Sequence, residues 1–286
     1  MNAIQVKNLT KKYKDFTLDH ISIDIPSGIV MGLIGENGAG KSTFIHALLG
    51  IVASDYEEVK IFGIDFKNNE KKIKEEIAVI YDDTQYDLNF NACIIGKMLS
   101  HVYQNWDNEK YLEYLRKFNL PFKKRLKEFS KGMKMKLEFA IAFSHHPKLL
   151  ILDEATSGLD PVFRDEILDY LRDFSEDEEH TILMSSHITS DLDKIADYIA
   201  YIHQGKLLFI QSYDDIRDNY GIINCKKDFL DNLNSEDIIS YRKEEYSYKV
   251  LIKNRLELQR IFKDIHIENA TVEDVMLYVA RGEKVC

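Results

Sequence analysis

The chain has 286 residues, of which 45% are hydrophobic and 30% charged, and its formal net charge is -10. An acidic chain without a Lys/Arg-rich block is poorly suited to gripping a polyanion, so nucleic acid is not expected as a partner. No apolar run approaches the roughly 18 residues of a bilayer span, and the opening MNAIQVKNLTKKYKDF has no basic-then-apolar leader pattern.

The first predicted elements are strands, because Ile4 to Lys7 and Ile21 to Ile25 alternate apolar and polar residues. After the turn Pro26-Ser27-Gly28, Ile29 to Ile34 is an apolar run of the kind buried on both faces. A glycine-rich loop follows, then a helix from Ser42 to Leu49 that Gly50 ends. Val59 to Phe62 and Ile77 to Tyr81 read as further strands, and residues 89–146 as mostly helical. Leu149 to Leu152 returns to a buried strand. Helix (Arg164 to Phe174), strand (Thr181 to Ser185), helix (Ser190 to Tyr198) and strand (Ile199 to His203) come next. This alternation predicts a largely parallel sheet with crossover helices. Past Asp218 the expected elements are strands at Asp237 to Tyr241 and Tyr246 to Ile252, and helices at Arg255 to Lys263 and Thr271 to Ala280. Thr271 with Asp274 is a candidate cap for the last helix. Cys93, Cys225 and Cys286 are odd in number and lack metal-type spacing, which argues against a disulfide scaffold or zinc site and for a reducing compartment.

Gly35-Glu36-Asn37-Gly38-Ala39-Gly40-Lys41-Ser42 matches the P-loop pattern in its required context of buried strand before and helix after. Glycines let successive backbone N–H groups converge on phosphate oxygens, and the helix adds its positive end. The candidate nucleotide contacts are therefore Gly35, Asn37, Gly38, Ala39, Gly40, Lys41, Ser42 and Thr43. Lys41 serves the β- and γ-phosphates and the Ser42 hydroxyl serves Mg²⁺. The apolar strand ending in Asp153-Glu154 supplies the other half: Asp153 for the metal shell, from a strand expected beside the P-loop strand, and Glu154 as general base for an attacking water.

Four further segments resemble ATP-binding-cassette (ABC) ATPases. Phe129-Ser130-Lys131-Gly132-Met133 resembles that family's signature motif, Ser157-Gly158-Leu159-Asp160 its D-loop, and His187 in Met184-Ser185-Ser186-His187 its switch histidine. Tyr13 resembles the aromatic residue that stacks on adenine, with Phe16 as the rival. The resemblance covers residues 1–217 and implies a RecA-like P-loop α/β core with an inserted helical subdomain (89–146), followed by a small α+β appendage at 218–286. It implies ATP and Mg²⁺ as ligands and a second cassette as partner, related or identical. Ser130 and Gly132 of one copy would close on the γ-phosphate held by the other, Asp160 would link the two sites, and His187 would hold phosphate and water in line.

The signature departs from LSGGQ at Phe129, Lys131 and Met133. Where the family carries a glutamine after the strand Ile77–Tyr81, Asp82 aligns best, as a metal or water ligand, with Gln85 as the substitute. The resemblance further implies integral-membrane permease subunits, contacted through the aromatic-rich segment after Asp82 (Tyr86 and Trp106 above all), and a place on the cytoplasmic face of the membrane. The tail, with Thr271-Val272-Glu273-Asp274-Val275-Met276-Leu277-Tyr278, is similar to that of bacterial drug- and peptide-exporting cassettes, so an exporter of amphipathic peptides, toxins or antibiotics is expected. The competing readings are a non-transport ATPase of the same type and a regulatory cassette that binds ATP beside an active partner.

Overall fold

The computed structural model describes residues 1–263 and 265–283; Cys286 lies outside them. An antiparallel sheet opens the chain, formed by β1 (Asn2–Lys12), β2 (Thr17–Pro26), β4 (Glu58–Ile61) and β5 (Ile64–Asp65) in the order β2-β1-β4-β5. In β2 the alternation predicted from sequence is realised: Ile21, Ile23 and Ile25 are buried while Ser22 and Asp24 face out.

The main sheet has six strands in the order β10-β9-β3-β8-β7-β6, with β3 (Val30–Ile34), β6 (Ile77–Tyr81), β7 (Leu149–Asp153), β8 (Thr181–Ser185) and β9 (Tyr198–His203) parallel and β10 (Lys206–Ser212) antiparallel at one edge. Its central strands are buried throughout because each face meets a different core. Met31 and Leu33 of β3, with Leu149 and Ile151 of β7, pack toward the first sheet and toward α1 (Lys41–Leu48). Val30 and Ile34, with Leu150 and Leu152, pack against the helices of the opposite side. That side carries α3 (Ala92–Leu99), α4 (Asn108–Lys117), α5 (Lys131–Phe143), α6 (Pro161–Ser175) and α7 (Thr189–Ile195), while α2 (Phe66–Glu75) precedes β6.

The strand order corrects one expectation. β7 is not the neighbour of β3; β8 lies between them. The register nevertheless aligns their carboxyl ends, with Asp153 opposite Ser185 and Ser185 opposite Leu33. Ligands of open α/β sheets bind at that edge.

After α8 (Tyr213–Asn219), a third, antiparallel sheet has the order β12-β13-β11-β14, from β11 (Gly221–Cys225), β12 (Ile238–Lys243), β13 (Tyr248–Ile252) and β14 (Ile267–Asn269), with α9 (Lys227–Leu230) and α10 (Arg255–Ile261). One apolar cluster of Ile223, Leu230, Val250, Ile252 and Leu258 belongs to this sheet alone. On its other side α11 (Val272–Arg281) brings Val272, Val275 and Tyr278 into the same cluster as Tyr201 and Ile216. The capping box predicted at Thr271 is present: Thr271 Oγ1 accepts from the Asp274 N–H at 3.1 Å, and the Asp274 carboxylate accepts from the Thr271 N–H at 3.0 Å.

Candidate active site

The loop between β3 and α1 is built around close approaches. Gly35 lies so near β9 that a Cβ there would sit 2.3 Å from the Ile202 carbonyl oxygen, and Gly40, at φ +114°, would push a Cβ to 2.9 Å from the Phe16 ring. Only glycine fits both places. Gly40 precedes α1 with no side-chain cap, and the first turn of α1 carries no acidic residue. The leading N–H groups of the helix are thus left for an anion, with the positive end of the helix behind them.

Lys41 is buried, its ammonium donating to the Gly35 carbonyl at 2.9 Å and paired with Glu154 Oε1 at 3.1 Å. Ser42 Oγ donates to Asp153 Oδ1 at 3.0 Å, and Ser185 Oγ donates to the same oxygen at 2.7 Å. The intervening strand therefore bridges the gap between β3 and β7: Ser185 steadies the carboxylate that reaches Ser42 from one strand further away.

Glu154 stands just past the end of β7 in the left-handed region, at φ +56°, a conformation that costs a non-glycine residue roughly 1 kcal/mol or more. It is held there by its N–H, which meets Ser185 Oγ at 3.1 Å and the Ser185 carbonyl at 3.2 Å. The turn aims its side chain back over Lys41, where the second carboxylate oxygen accepts from Nδ1 of His187. Burial pushes the Glu154 carboxyl up, but His187 and Lys41 together outweigh it and bring it below the ordinary carboxylate range. Glu154 is therefore ionised at neutral pH.

These residues line a cavity of about 400 Å³ formed by Phe16, Asn37, Gly38, Ala39, Gly40, Lys41, Ser42, Thr43, Asp82, Glu154, Ser157 and His187. Of the candidates read from sequence, the cavity gathers all of the loop from Asn37 to Thr43 together with Asp82, Glu154 and His187. Asp153 joins through Ser42, and Gly35 through its carbonyl on Lys41. Phe16 forms part of the wall; Tyr13 is not in the lining, stands half exposed and lies 6.5 Å from Phe16 between ring centroids. Gln85 is absent from the lining too, its amide donating to the Asp83 carbonyl at 3.2 Å.

Ser130, Gly132 and Asp160 lie away from this cavity. Ser130 is exposed and caps α5, accepting from the Met133 N–H at 3.2 Å, and a Cβ on Gly132 would meet only the Ser130 hydroxyl, at 4.0 Å. Asp160 is exposed and caps α6, accepting from the Phe163 N–H at 3.0 Å. Ser157 and Ser185 are the residues that sequence reasoning did not single out for this site. Both stood in quoted motifs, but the role of Ser185 needed the strand register, which places it opposite Asp153.

Tyr86 and Trp106, the expected contacts for a partner, pack inward against the helical core instead, Trp106 tilted against Tyr111 at 5.0 Å. The exposed apolar surface of that region is aliphatic. Leu88, Ile94, Met98 and Val102 all face outward, with Ile94 and Met98 one turn apart on α3.

Comparison with known proteins fits this geometry. The family profile described as ABC transporter matches residues 18–157. The bacitracin transport ATP-binding protein of Bacillus licheniformis is 34% identical over 218 residues, covering 75% of this chain and 71% of that protein. The lantibiotic transport ATP-binding protein of Streptococcus pyogenes is 35% identical over 218 residues, covering 74% of this chain and 91% of its own length. A solved structure described as the ATP-binding subunit of an ABC transporter superposes with a TM-score of 0.67 at 26% identity, over 75% of this chain and 92% of that one.

Proposed function

The chain belongs to the ABC transporter family as an ATP-binding, ATP-hydrolysing subunit, and from that premise we propose that two such cassettes close head to tail on ATP and drive membrane-spanning partner subunits that export a peptide or antibiotic. The observation that carries the pairing is the separation just described. Lys41, Glu154 and His187 line one cavity, with Asp153 behind Ser42, while the exposed Ser130 caps its own helix and neither it nor Gly132 lines that cavity. A second copy would supply the missing wall, with Ser130 and Gly132 meeting the γ-phosphate and Asp160 crossing to the other site.

The reaction is displacement at the γ-phosphate by water. In this reading Lys41 exchanges Glu154 for phosphate oxygens, and the released carboxylate takes the proton of a water that His187 helps to align. Phe16 is placed to meet the base, with Tyr13 beside it. Among the described residues no cluster of three or more His, Cys, Asp or Glu suits a metal. The Ser42 hydroxyl and Asp153 carboxylate, 3.0 Å apart, fit Mg²⁺, which takes one or two protein oxygens and completes its shell with phosphate and water. Bound there, the ion would neutralise charge on the β- and γ-phosphates.

No helix among the described residues is long and apolar enough to cross a membrane, so transport calls for partner subunits that do. The outward-facing Leu88, Ile94, Met98 and Val102 mark the surface we assign to them, because exposed apolar side chains among polar ones suit a docked helix. The cargo class rests on the relatives, whose names specify bacitracin and lantibiotic transport. Glu154→Gln tests the core of the reading. It should retain ATP, lose at least ~10²-fold in turnover and run as a dimer with ATP in size exclusion. Near-normal hydrolysis by this variant would remove Glu154 from the role of base.

A further inference from the structure

The C-terminal appendage meets the phosphate loop through an ion pair. Glu36 is the only acidic residue between Gly35 and Thr43, and its carboxylate accepts from the Arg281 guanidinium at 2.8 Å. Arg281 is the last residue of α11. The fold explains how residues 245 apart in sequence come together. Tyr201 of β9 lies beside Ile34 at the end of β3, and it shares an apolar cluster with Tyr278, three residues before Arg281. Beyond Arg281 the chain is fastened again. The Gly282 N–H and the Ser240 hydroxyl both donate to the Tyr278 carbonyl, at 2.8 and 2.9 Å, and Glu283 exchanges two main-chain hydrogen bonds with Tyr241 of β12, at 2.8 and 2.9 Å. Arg281 is thus presented from a fixed frame.

On the loop side, the main chain of Glu36 belongs to the phosphate cradle. Its carbonyl accepts from the Ala39 N–H at 3.0 Å and from the Lys41 ammonium at 3.4 Å, and the next residue, Asn37, lines the cavity. A carboxylate on such a loop opposes the charge of an arriving phosphate chain. The side chains of Arg281 and Glu36 are 63% and 47% exposed, and an ion pair that open to water adds little to stability. Val272, Val275 and Tyr278 already anchor α11. What the pair changes is the charge at the loop.

We propose that Arg281 is a positioning residue for nucleotide binding: by pairing with Glu36 it offsets the one negative side chain of the phosphate loop and keeps it turned toward the C-terminal appendage, which thereby tunes nucleotide affinity. The inference rests on the reading of residues 35–43 as the phosphate site and is independent of membrane partner and cargo.

The test uses the full-length chain, with Kd for Mg·ADP and kcat for Mg·ATP measured at about 50 and about 500 mM salt in wild type, Arg281→Ala, Arg281→Lys, Glu36→Gln and the Gln/Ala double variant, and with melting curves to verify folding. At the lower salt Arg281→Ala should weaken Mg·ADP by about threefold to fivefold, with kcat at saturation changed less than about twofold. At the higher salt the deficit should shrink below about twofold. Arg281→Lys keeps the charge and should stay within about twofold of wild type. With Glu36→Gln already present, Arg281→Ala should alter Kd by less than about 1.5-fold, because the charge it offset is gone. Wild-type affinity in Arg281→Ala, the same loss in the Glu36→Gln background, or a loss undiminished by salt would each overturn the proposal. Lys41→Ala measured alongside separates the two readings. Normal Mg·ADP binding by that variant would mark a failure of the phosphate-site reading itself, whereas a failed Glu36–Arg281 cycle with Lys41→Ala impaired would fall on this proposal alone.

Discussion

At the level of single side chains, the role proposed for Glu154 requires it to occupy a backbone region that its residue type disfavours. Its N–H grips both the hydroxyl and the carbonyl of Ser185, so Ser185→Ala should release one of these bonds and also one of the two donors on Asp153. We expect a fall in kcat of roughly tenfold to a hundredfold, since removing a hydrogen bond to a charged group costs about 1.5–3 kcal/mol. Steady-state kinetics at saturating Mg·ATP check it, and unchanged turnover would show that the main-chain bond suffices. Glu138 gives a prediction of a different kind, about stability. Its folded value, near 7, lies above the ordinary 4.5, so the protein binds this proton more tightly than the unfolded chain does. The resulting stability is fully present below pH about 4.5 and is lost as pH rises through about 7. Melting curves should accordingly show Glu138→Gln gaining on wild type between pH 5 and 8, by on the order of 1–3 kcal/mol at most; parallel curves would refute the buried acid.

At the level of elements, the parallel strands were legible because both of their faces are buried: β3, β7 and β8 are buried along their whole length, with polar residues only at the ends of β7 and β8. Their neighbours were not legible. Periodicity carries no information on lateral order, so β8 could be placed between β3 and β7 only from coordinates, and with it the role of Ser185. Elements with little burial also escaped. α2 buries only Phe66 and Ile73 in a polar sequence, and β10, at the edge of its sheet, buries none of its seven residues. The aromatic segment misled for a related reason. Sequence shows that Tyr86 and Trp106 are large and apolar, but not that the nearby core absorbs them while Ile94 and Met98 turn outward. The capping box at Thr271 was legible because it is local in sequence. Thr271→Ala should therefore cost about 1 kcal/mol, visible as a melting point a few degrees lower, with hydrolysis unchanged if the cap acts on α11 alone.

For the molecule as a whole, the P-loop was readable because it is contiguous, and its residues Asn37 to Thr43 do line one cavity, whereas the proposed dependence on a second copy rests on what the fold keeps apart. That separation yields a prediction of complementation. Lys41→Ala and Ser130→Arg should each be inactive alone. Mixed at equal amounts, they should recover a fraction of wild-type hydrolysis on the order of one quarter, because half of the random pairs are mixed and each of those contains one undamaged composite site. Absence of recovery, with both variants folded and able to pair, would contradict the head-to-tail arrangement.

The contact between Lys41 and Glu154 has a further consequence. In the proposed mechanism the cation that would receive the triphosphate is paired with the carboxylate that would later take a proton from water, so each would restrain the other until a more highly charged competitor arrives. Entry of the nucleotide would then arm the proposed base in the same event that delivers its target.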